Sequence, residues 1–485
     1  SQNGGLYRED SFDFSVNFDG YYDTSWDQAI AEFTWDVGPG DGQIVNILGW
    51  REYSSLTGGD IDASPLSFFH APASIDQDQW SNELRYTTSI GEAYLTAGIY
   101  YFTQDIAYRE QRQLLGSLPP PFPRTITGGG DQKQDTLAFF ANIDAPLTDD
   151  ITLNLGARFS EEKKDAKVQT ILPPIPPVPP ETVGVDRCTI GGDCVAYDFV
   201  EDRTWSSVSP KVGIQITPSE YTQIYAFWTK GFRSGGYNLR HTAPLIPNES
   251  FDQEEQSSYE IGLKKDVAGG RIRINAAAYL NKMSDLQREV NLSDPAVGVI
   301  QLIRNTSDAT ITGFDLEASA SLSDNLFFRG SYGYVDGSYD EVRFDLNGDG
   351  SIDDADLALD LPRLAPKSFG AEVIYSREIG NSTFSAQVSG YHRDSAAYTD
   401  NNRGQLRAAD MFDASLGLTF MDDRLKLSLF GRNLKDESTI GGDTQLPAIF
   451  PGGPASLIPT AVGTGATFSP LNKGRTYGIE LQYTM

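Results

Sequence analysis

The stretch Arg475-Thr-Tyr-Gly-Ile-Glu-Leu-Gln-Tyr-Thr-Met485 alternates without a break. Tyr477, Ile479, Leu481, Tyr483 and Met485 fall on one face of an extended chain, and Thr476, Gly478, Glu480, Gln482 and Thr484 on the other. Successive side chains of a strand point to opposite faces, so this period of two predicts a β-strand with one apolar and one polar side. The pattern recurs upstream. Ile151, Leu153, Leu155, Ala157 and Phe159 oppose Thr152, Asn154, Gly156, Arg158 and Ser160; Ile272, Ile274, Ala276, Ala278 and Leu280 oppose Arg271, Arg273 and Asn275; Phe314, Leu316, Ala318 and Ala320 oppose Asp315, Glu317, Ser319 and Ser321. Strands of soluble sandwiches alternate too, but average about 5–6 residues. These runs approach the roughly 9–11 residues that cross a bilayer at a tilt.

Composition narrows the field. The 485 residues carry 38 Lys+Arg against 67 Asp+Glu, a formal net charge of −29. Length alone would suggest about three soluble domains, yet 47 Gly, 26 Phe, 23 Tyr and 6 Trp point elsewhere. No apolar run reaches the ~18 residues of a membrane helix. Such acidity argues against nucleic acid as a partner, because phosphate contacts need clustered Lys and Arg. The hydrophobic content, 39%, is too high and too well patterned for a disordered acidic chain. Only 3 His (His70, His241, His392) and 2 Cys leave little material for a soft-metal or nucleophilic centre.

The connections alternate in length. Short ones are read at 144–150, 217–221, 267–271, 322–325 and 421–424, and long ones at 57–79, 106–133, 161–204, 234–253, 337–366 and 437–472. Short turns at one end and long loops at the other describe an outer-membrane barrel. We count about 18 strands, the first near 9–19 and the last ending at Met485. Helices excluded, a closed all-β antiparallel transmembrane barrel is the remaining way to satisfy every backbone group in lipid. A solenoid or propeller would show a fixed-period repeat, and none is visible.

Specific segments go further. Trp205-Ser-Ser-Val-Ser-Pro-Lys-Val-Gly-Ile-Gln-Ile-Thr-Pro218 is followed by Ile224-Tyr-Ala-Phe-Trp-Thr-Lys-Gly-Phe-Arg-Ser-Gly-Gly-Tyr-Asn238. Then come Glu255-Gln-Ser-Ser-Tyr-Glu-Ile-Gly-Leu-Lys264, the strand from Asn305 to Glu317, Gly431-Arg-Asn-Leu-Lys-Asp-Glu437 and the ending from Gly474. Upstream stand Trp80-Ser-Asn-Glu-Leu-Arg85 and Gly98-Ile-Tyr-Tyr-Phe102. In this order they resemble the C-terminal β-barrel of TonB-dependent outer-membrane receptors. The resemblance implies that residues 1–485 are part of a barrel of about 22 strands with a plugged lumen. About four strands, the plug and the TonB box would then lie ahead of Ser1. It implies a transporter, not an enzyme, in the outer membrane of a Gram-negative cell. Its external loops would bind a scarce small-molecule nutrient or metal chelate, a ferric siderophore first among them. Its partners would be outer-membrane lipid and lipopolysaccharide, and the inner-membrane TonB energy-coupling complex through the absent N-terminal segment. A paired-His haem signature is not evident. Two readings from other classes compete: a passive sugar or solute porin, and a structural or adhesive surface protein.

Two local motifs stand out. Asp345-Leu-Asn-Gly-Asp-Gly-Ser-Ile-Asp-Asp-Ala-Asp356, within an expected external loop 340–366, fits an EF-hand-like Ca²⁺ loop. Asp345, Asn347 and Asp349 take positions 1, 3 and 5, Gly350 the sharp turn, Ser351 the carbonyl at 7, Asp353 position 9 and Asp356 position 12. Ile352, at position 8, is expected to pack inward. All-oxygen ligands select Ca²⁺; the plainer alternative is a solvated acidic turn. Cys188 and Cys194 bracket a Gly-containing loop of an exported chain, and a disulfide is the simplest reading. Two free thiols or half of a metal site are the alternatives. Proline tracts at 118–123 and 173–180 read as stiff external loops. Phe68/Phe69 and Tyr100/Tyr101/Phe102 read as interface-belt aromatics. Carboxylate pairs such as Glu161/Glu162, Glu254/Glu255 and Asp353/Asp354 have no base or nucleophile at informative spacing.

Overall fold

A computed structural model describes residues 16–38, 41–61, 65–114, 116–117, 124–171, 188–194, 197–242, 246–294, 298–421, 424–445 and 467–484. Both proline tracts and Met485 lie outside them, as does most of the expected first strand at 9–19, and residues 16–20 are not in a strand.

Seventeen long strands follow one another. They are β1 (Tyr21–Val37), β2 (Gly42–Gly58), β3 (Ala73–Ile90), β4 (Ala93–Leu114), β5 (Arg124–Thr148), β6 (Ile151–Gln169), β7 (Phe199–Ser219), β8 (Thr222–Arg233) and β9 (Glu254–Val267). There follow β10 (Ile272–Asp294), β11 (Gly298–Ser323), β12 (Leu326–Val342), β13 (Lys367–Ile379), β14 (Ser382–Arg393), β15 (Ala409–Phe420), β16 (Leu425–Arg432) and β17 (Thr476–Tyr483). With the two-residue strand Phe69–His70 they make an 18-stranded sheet, as the alternation predicts. The seventeen long strands pair antiparallel and in sequence, from β1–β2 through β16–β17, and Phe69–His70 pairs antiparallel with the end of β4 at Gln113 and Leu114. The one helix among the described residues, α1 (Asp354–Leu357), is a single turn, and no helix is long and apolar enough to cross a membrane.

Register carries the two faces across the sheet. Leu155 of β6 lies opposite Ile143 and Val212; Val212 faces Trp228, and Trp228 faces Tyr259. On the far side Leu429 sits between Leu416 and Ile479. Cross-strand partners share a face, so one apolar surface runs through all these strands. It stays exposed, as the outward face of a transmembrane barrel would: Ile479 is 73% and Ile261 58% accessible. The opposite face is polar. It holds Arg158, whose guanidinium lies 5.2 Å from the Tyr100 ring centroid, and Glu260, which accepts from Tyr225 Oη at 2.7 Å.

That alternation corrects the reading of the aromatic groups. Tyr101 is on the outward face and 45% exposed, but its neighbour Tyr100 must point the other way. Phe68 and Phe69 are buried in the connection after β2, with Arg112 over the Phe69 ring at 5.7 Å. Of these groups, Tyr101 is the one that stands on the outward face where a belt residue is expected.

The strands also run further than the alternation suggested, many to 17–26 residues. The expected long connections 106–133 and 161–204 shrink accordingly: β4 continues to Leu114, β5 begins at Arg124, β6 reaches Gln169 and β7 begins at Phe199. Polar residues on both faces mark these extensions above the apolar band. Where a turn is tight, glycine supplies a positive φ, as at Gly91 (63°) and Gly380 (63°).

Two edges stay unpaired among the described residues. β1 pairs only with β2, and β17 only with β16. Both start at the long-loop end and run to the short-turn end, because seventeen strands in strict alternation return to the starting direction. Among the described residues the sheet is therefore a barrel wall with its two edges, β1 and β17, left unjoined.

Candidate functional site

The long-loop end is where the polar chemistry gathers. Near the top of β4, Glu110 is almost fully buried with Arg112 beside it, Nε to Oε1 at 2.7 Å. Tyr108 Oη donates to the other Glu110 oxygen at 2.7 Å. Arg240, from the 234–253 loop, adds Nη2 to Oε1 at 2.9 Å and also donates to Gln301 of β11. Burial alone would raise the Glu110 pKa; Arg240 and Arg112 overcome it and hold the carboxyl at about 2. One arginine thus ties β4 to β11, which are not neighbours in the sheet. The segment carrying it is stapled on both flanks. Asn238 Oδ1 accepts from Ile303 N at 2.7 Å, and Thr242 Oγ1 accepts from Gln301 N at 2.8 Å.

A second knot explains the Lys-Gly-Phe-Arg-Ser-Gly-Gly run at 230–236. Lys164 Nζ, at the top of β6, donates to Ser234 Oγ and Gly235 O, both at 2.6 Å, and lies 5.6 Å from the Trp205 ring. Burial lowers the Lys164 pKa against the pull of Glu162. A Cβ on Gly235 would come within 2.3 Å of both Phe251 O and Trp205 Nε1, so no larger residue fits. Gly236 and Phe251 exchange backbone hydrogen bonds at 2.9 and 3.1 Å and close the base of the loop.

A third knot holds the cysteine turn. Cys188 and Cys194 are joined, Sγ to Sγ 1.97 Å, in agreement with the disulfide reading. Arg109 Nε donates to Gly192 O at 2.8 Å, and its Nη2 meets Asp131 Oδ1 at 2.8 Å. Ser74 Oγ accepts from Gly191 N at 3.0 Å. The disulfide turn is thereby docked on β3 and β4.

The acidic loop is closed by hydrogen bonds from its own backbone to its carboxylates. Asp345 Oδ1 accepts from Gly348 N (2.7 Å) and its Oδ2 from Gly350 N (2.8 Å); Asp349 Oδ1 accepts from Ser351 N (2.8 Å). Asp356, fully buried, accepts from Leu346 N, Asn347 N and Asp353 N at 2.9, 3.0 and 3.1 Å, and forms a capping box with Asp353 on α1. The donor set is right in kind for Ca²⁺. Among the described residues no three of His, Cys, Asp and Glu converge on a metal position. Ile352 corrects the expectation: it is 55% exposed, and Leu346 is the residue that packs inward, with Leu286, Ala309, Tyr339 and Leu361.

The candidate carboxylate pairs are dispersed. Glu254 accepts from Gln287 N at 2.7 Å, Glu255 pairs with Lys230 at 2.8 Å, and Glu162 stands 3.9 Å from Lys164. The polar face of the wall has a recess of about 520 Å³ lined by Arg273, Asn275, Glu317, Arg329 and Glu372. Glu110, Arg112, Arg240 and Lys164 were not singled out by sequence reasoning. Only the glycine run at 235–236 marked their neighbourhood.

Comparison with known proteins follows the same lines. The family model for the TonB dependent receptor-like beta-barrel matches residues 1–434. The metal-pseudopaline receptor CntO of Pseudomonas aeruginosa is 28% identical over 139 residues, 29% of this chain and 18% of that one. The ferric-pyoverdine 358 receptor of Pseudomonas putida is 27% identical over 176 residues, 36% of this chain and 18% of that one. Among solved structures, the ferric yersiniabactin uptake receptor FyuA from Yersinia pestis superposes with a TM-score of 0.72 at 17% identity, over 96% of this chain and 61% of that one. The siderophore receptor PiuA from Acinetobacter baumannii gives 0.66 at 14% identity, over 96% and 65%. The chain thus spans about three fifths of the length of the structures it resembles.

Proposed function

The chain belongs to the TonB-dependent receptor-like β-barrel family, and from that premise we propose that it forms the wall and external loops of an energy-coupled importer of a ferric siderophore. Its place is the outer membrane of a Gram-negative cell. The observation that carries the reading is the family match over residues 1–434. The names of the relatives, receptors for metal and iron chelates, support the substrate class. On this reading the protein binds and passes a chelate without making or breaking covalent bonds. Its apolar face meets lipid and lipopolysaccharide, and the TonB complex supplies the work.

The two free edges support a larger assembly. Open sheet edges are not tolerated in hydrocarbon. β1 and β17 run the same way, so joining them directly would require a parallel pair. An all-antiparallel barrel has an even number of strands, and an odd number of further strands is needed to close it. Five would give the 22 of the plugged transporters. The described strands then form part of a barrel wall that is closed by further strands.

Conductance of the whole protein, extracted from outer membranes and inserted in planar bilayers, tests this against a passive pore. A plugged importer stays silent. A steady ohmic conductance would overturn the reading.

A further inference from the structure

Just above Trp50 and Trp80 the two faces of the wall carry opposite chemistry. Asp27, Glu52, Asp78 and Asp105 stand directly opposite one another across β1 to β4. They have the parity of Trp50, Trp80 and Tyr101 on their strands, so they point outward. The adjacent row on the other face reads Gln28, Arg51, Gln79 and Gln104, again directly opposite one another. Gln104 has the parity of Tyr100, which meets Arg158, so this row lies on the inner, polar face. In a chain of net charge −29, the acids of these four strands are sorted to the outside and a cation to the inside.

Nothing beside Arg51 offsets its charge. Its inner-face neighbours, Trp26, Gln28 and Ile30 on β1 and Gln77, Gln79 and Ser81 on β3, include no carboxylate. It makes no ion pair among the described residues. The Tyr53 ring lies 5.5 Å from the guanidinium and supports its flat side. Nε is covered and unpartnered, so the terminal Nη groups are the donors left to a guest. The amides beside it are oriented. Gln77 Nε2 donates to Gln79 Oε1 at 2.8 Å and to Gln104 Oε1 at 3.0 Å. Both oxygens are thereby engaged, while Nε2 of Gln79 and Nε2 of Gln104 have no partner among the described residues. Gln134, next in the row, donates to Glu162 at 3.2 Å and closes it on that side. Free donors thus stand on three adjacent strands, about 5 Å from one strand to the next.

We propose that the Arg51–Gln79–Gln104 row is a subsite for the carboxylate face of an external ligand, one carboxylate on Arg51 and a further acceptor oxygen on the two amides. A carboxylate meets the end of a guanidinium in its own plane with two N–H bonds. A cation would add to the unmatched charge, and a neutral guest would leave it unmatched. The three strands span about 10 Å, more than a single carboxylate covers, so a di- or tricarboxylate is the matching form. The subsite rests on the uptake reading only for the source of that ligand. An acidic side chain from another part of the whole protein is the competing occupant.

Phenylglyoxal, which modifies accessible guanidiniums, tests this at the residue. The whole protein, held in nanodiscs, is treated with it alone, with propane-1,2,3-tricarboxylate or with the neutral triamide of that acid. Mass spectrometry of the digest then reads the modification of each arginine. Arg51 is expected to react, and the tricarboxylate to protect it saturably, while the triamide at the same concentration does not. Gln79→Leu and Gln104→Leu each remove one donor and should each raise the concentration needed for protection about tenfold. Arg112, fully buried on Glu110, should stay unreactive throughout and reports that both variants keep their fold. An Arg51 that fails to react is already matched inside the protein, which overturns the subsite. A reactive Arg51 that neither compound protects, that both protect equally, or whose protection is unchanged in both variants overturns it too. A protein that imports iron chelates yet fails here loses only the subsite; one whose Arg51 is protected as expected and that imports nothing loses only the uptake reading.

Discussion

Glu110 shows what holds the outer end of the wall together. Its carboxylate is buried and accepts from Arg112, Arg240 and Tyr108. Its pKa falls to about 2 in the folded protein, so the unfolded segment binds the proton more tightly. The resulting stability is fully present above the ordinary Glu range near 4.5 and is lost as pH falls from there through about 2. Hydrogen exchange of the 234–242 segment should accordingly stay slow at pH 5 and quicken below pH 4; exchange that is flat down to pH 2 would contradict the assignment. Glu110→Gln removes the charge at neutral pH and leaves two guanidiniums in a buried site, a loss of about 3–5 kcal/mol by analogy with broken buried pairs. It should make the same segment exchange fast at pH 7. None of this was legible in the sequence, because Glu110, Arg240 and Gln301 are brought together by a loop that crosses between distant strands. The Cys188–Cys194 pair could be read because its two partners are close in the chain.

Strands were the most legible elements, and their faces more so than their ends. The alternation at Ile151–Phe159 gives the outward face correctly, because an apolar outside and a polar inside impose the period. It fails above the apolar band. There both faces are wet, the period fades, and β4 runs on to Leu114 by backbone pairing alone. Adjacent residues should therefore respond in opposite ways. Ile214→Arg, on the lipid face of β7, is expected to cost about 2–4 kcal/mol in a lipid-refolding titration, and Gln215→Arg, on the other face, less than about 1 kcal/mol. Equal losses would show that the faces are misassigned. The 345–356 loop is an element whose spacing points to an ion. Its pattern fits Ca²⁺, yet its carboxylates are turned to backbone N–H groups. We propose calcium as an ordering ion that would draw Asp345, Asp349 and Asp356 together. Calorimetry should then show a one-to-one Ca²⁺ heat that Asp345→Asn abolishes. A silent titration would leave the loop as a self-satisfied acidic turn.

At the scale of the whole molecule, parity says most about what the chain is for. The seventeen long strands among the described residues leave two edges running the same way, a fact that emerges from the sequence only after every short turn is found. Gly91, Gly380 and the turn after β1 were passed over in the count of connections, so direction at the two edges could not be read. The family was legible nonetheless, since motifs such as Gly431–Glu437 mark fixed structure. There Asn433 accepts from Glu437 N at 2.8 Å and donates back to its carbonyl at 2.9 Å, clamping the turn after β16. On the proposed reading, what the wall does depends on its being one part of a gated, energised machine. The most direct test is uptake of ⁵⁵Fe-loaded chelates (a catecholate, a hydroxamate and a carboxylate) by cells with and without this gene, before and after collapse of the proton gradient. The account predicts that at least one chelate enters only with the gene present and only while the gradient stands. Entry that survives collapse of the gradient, or no gene-dependent entry of any of the three, would contradict it.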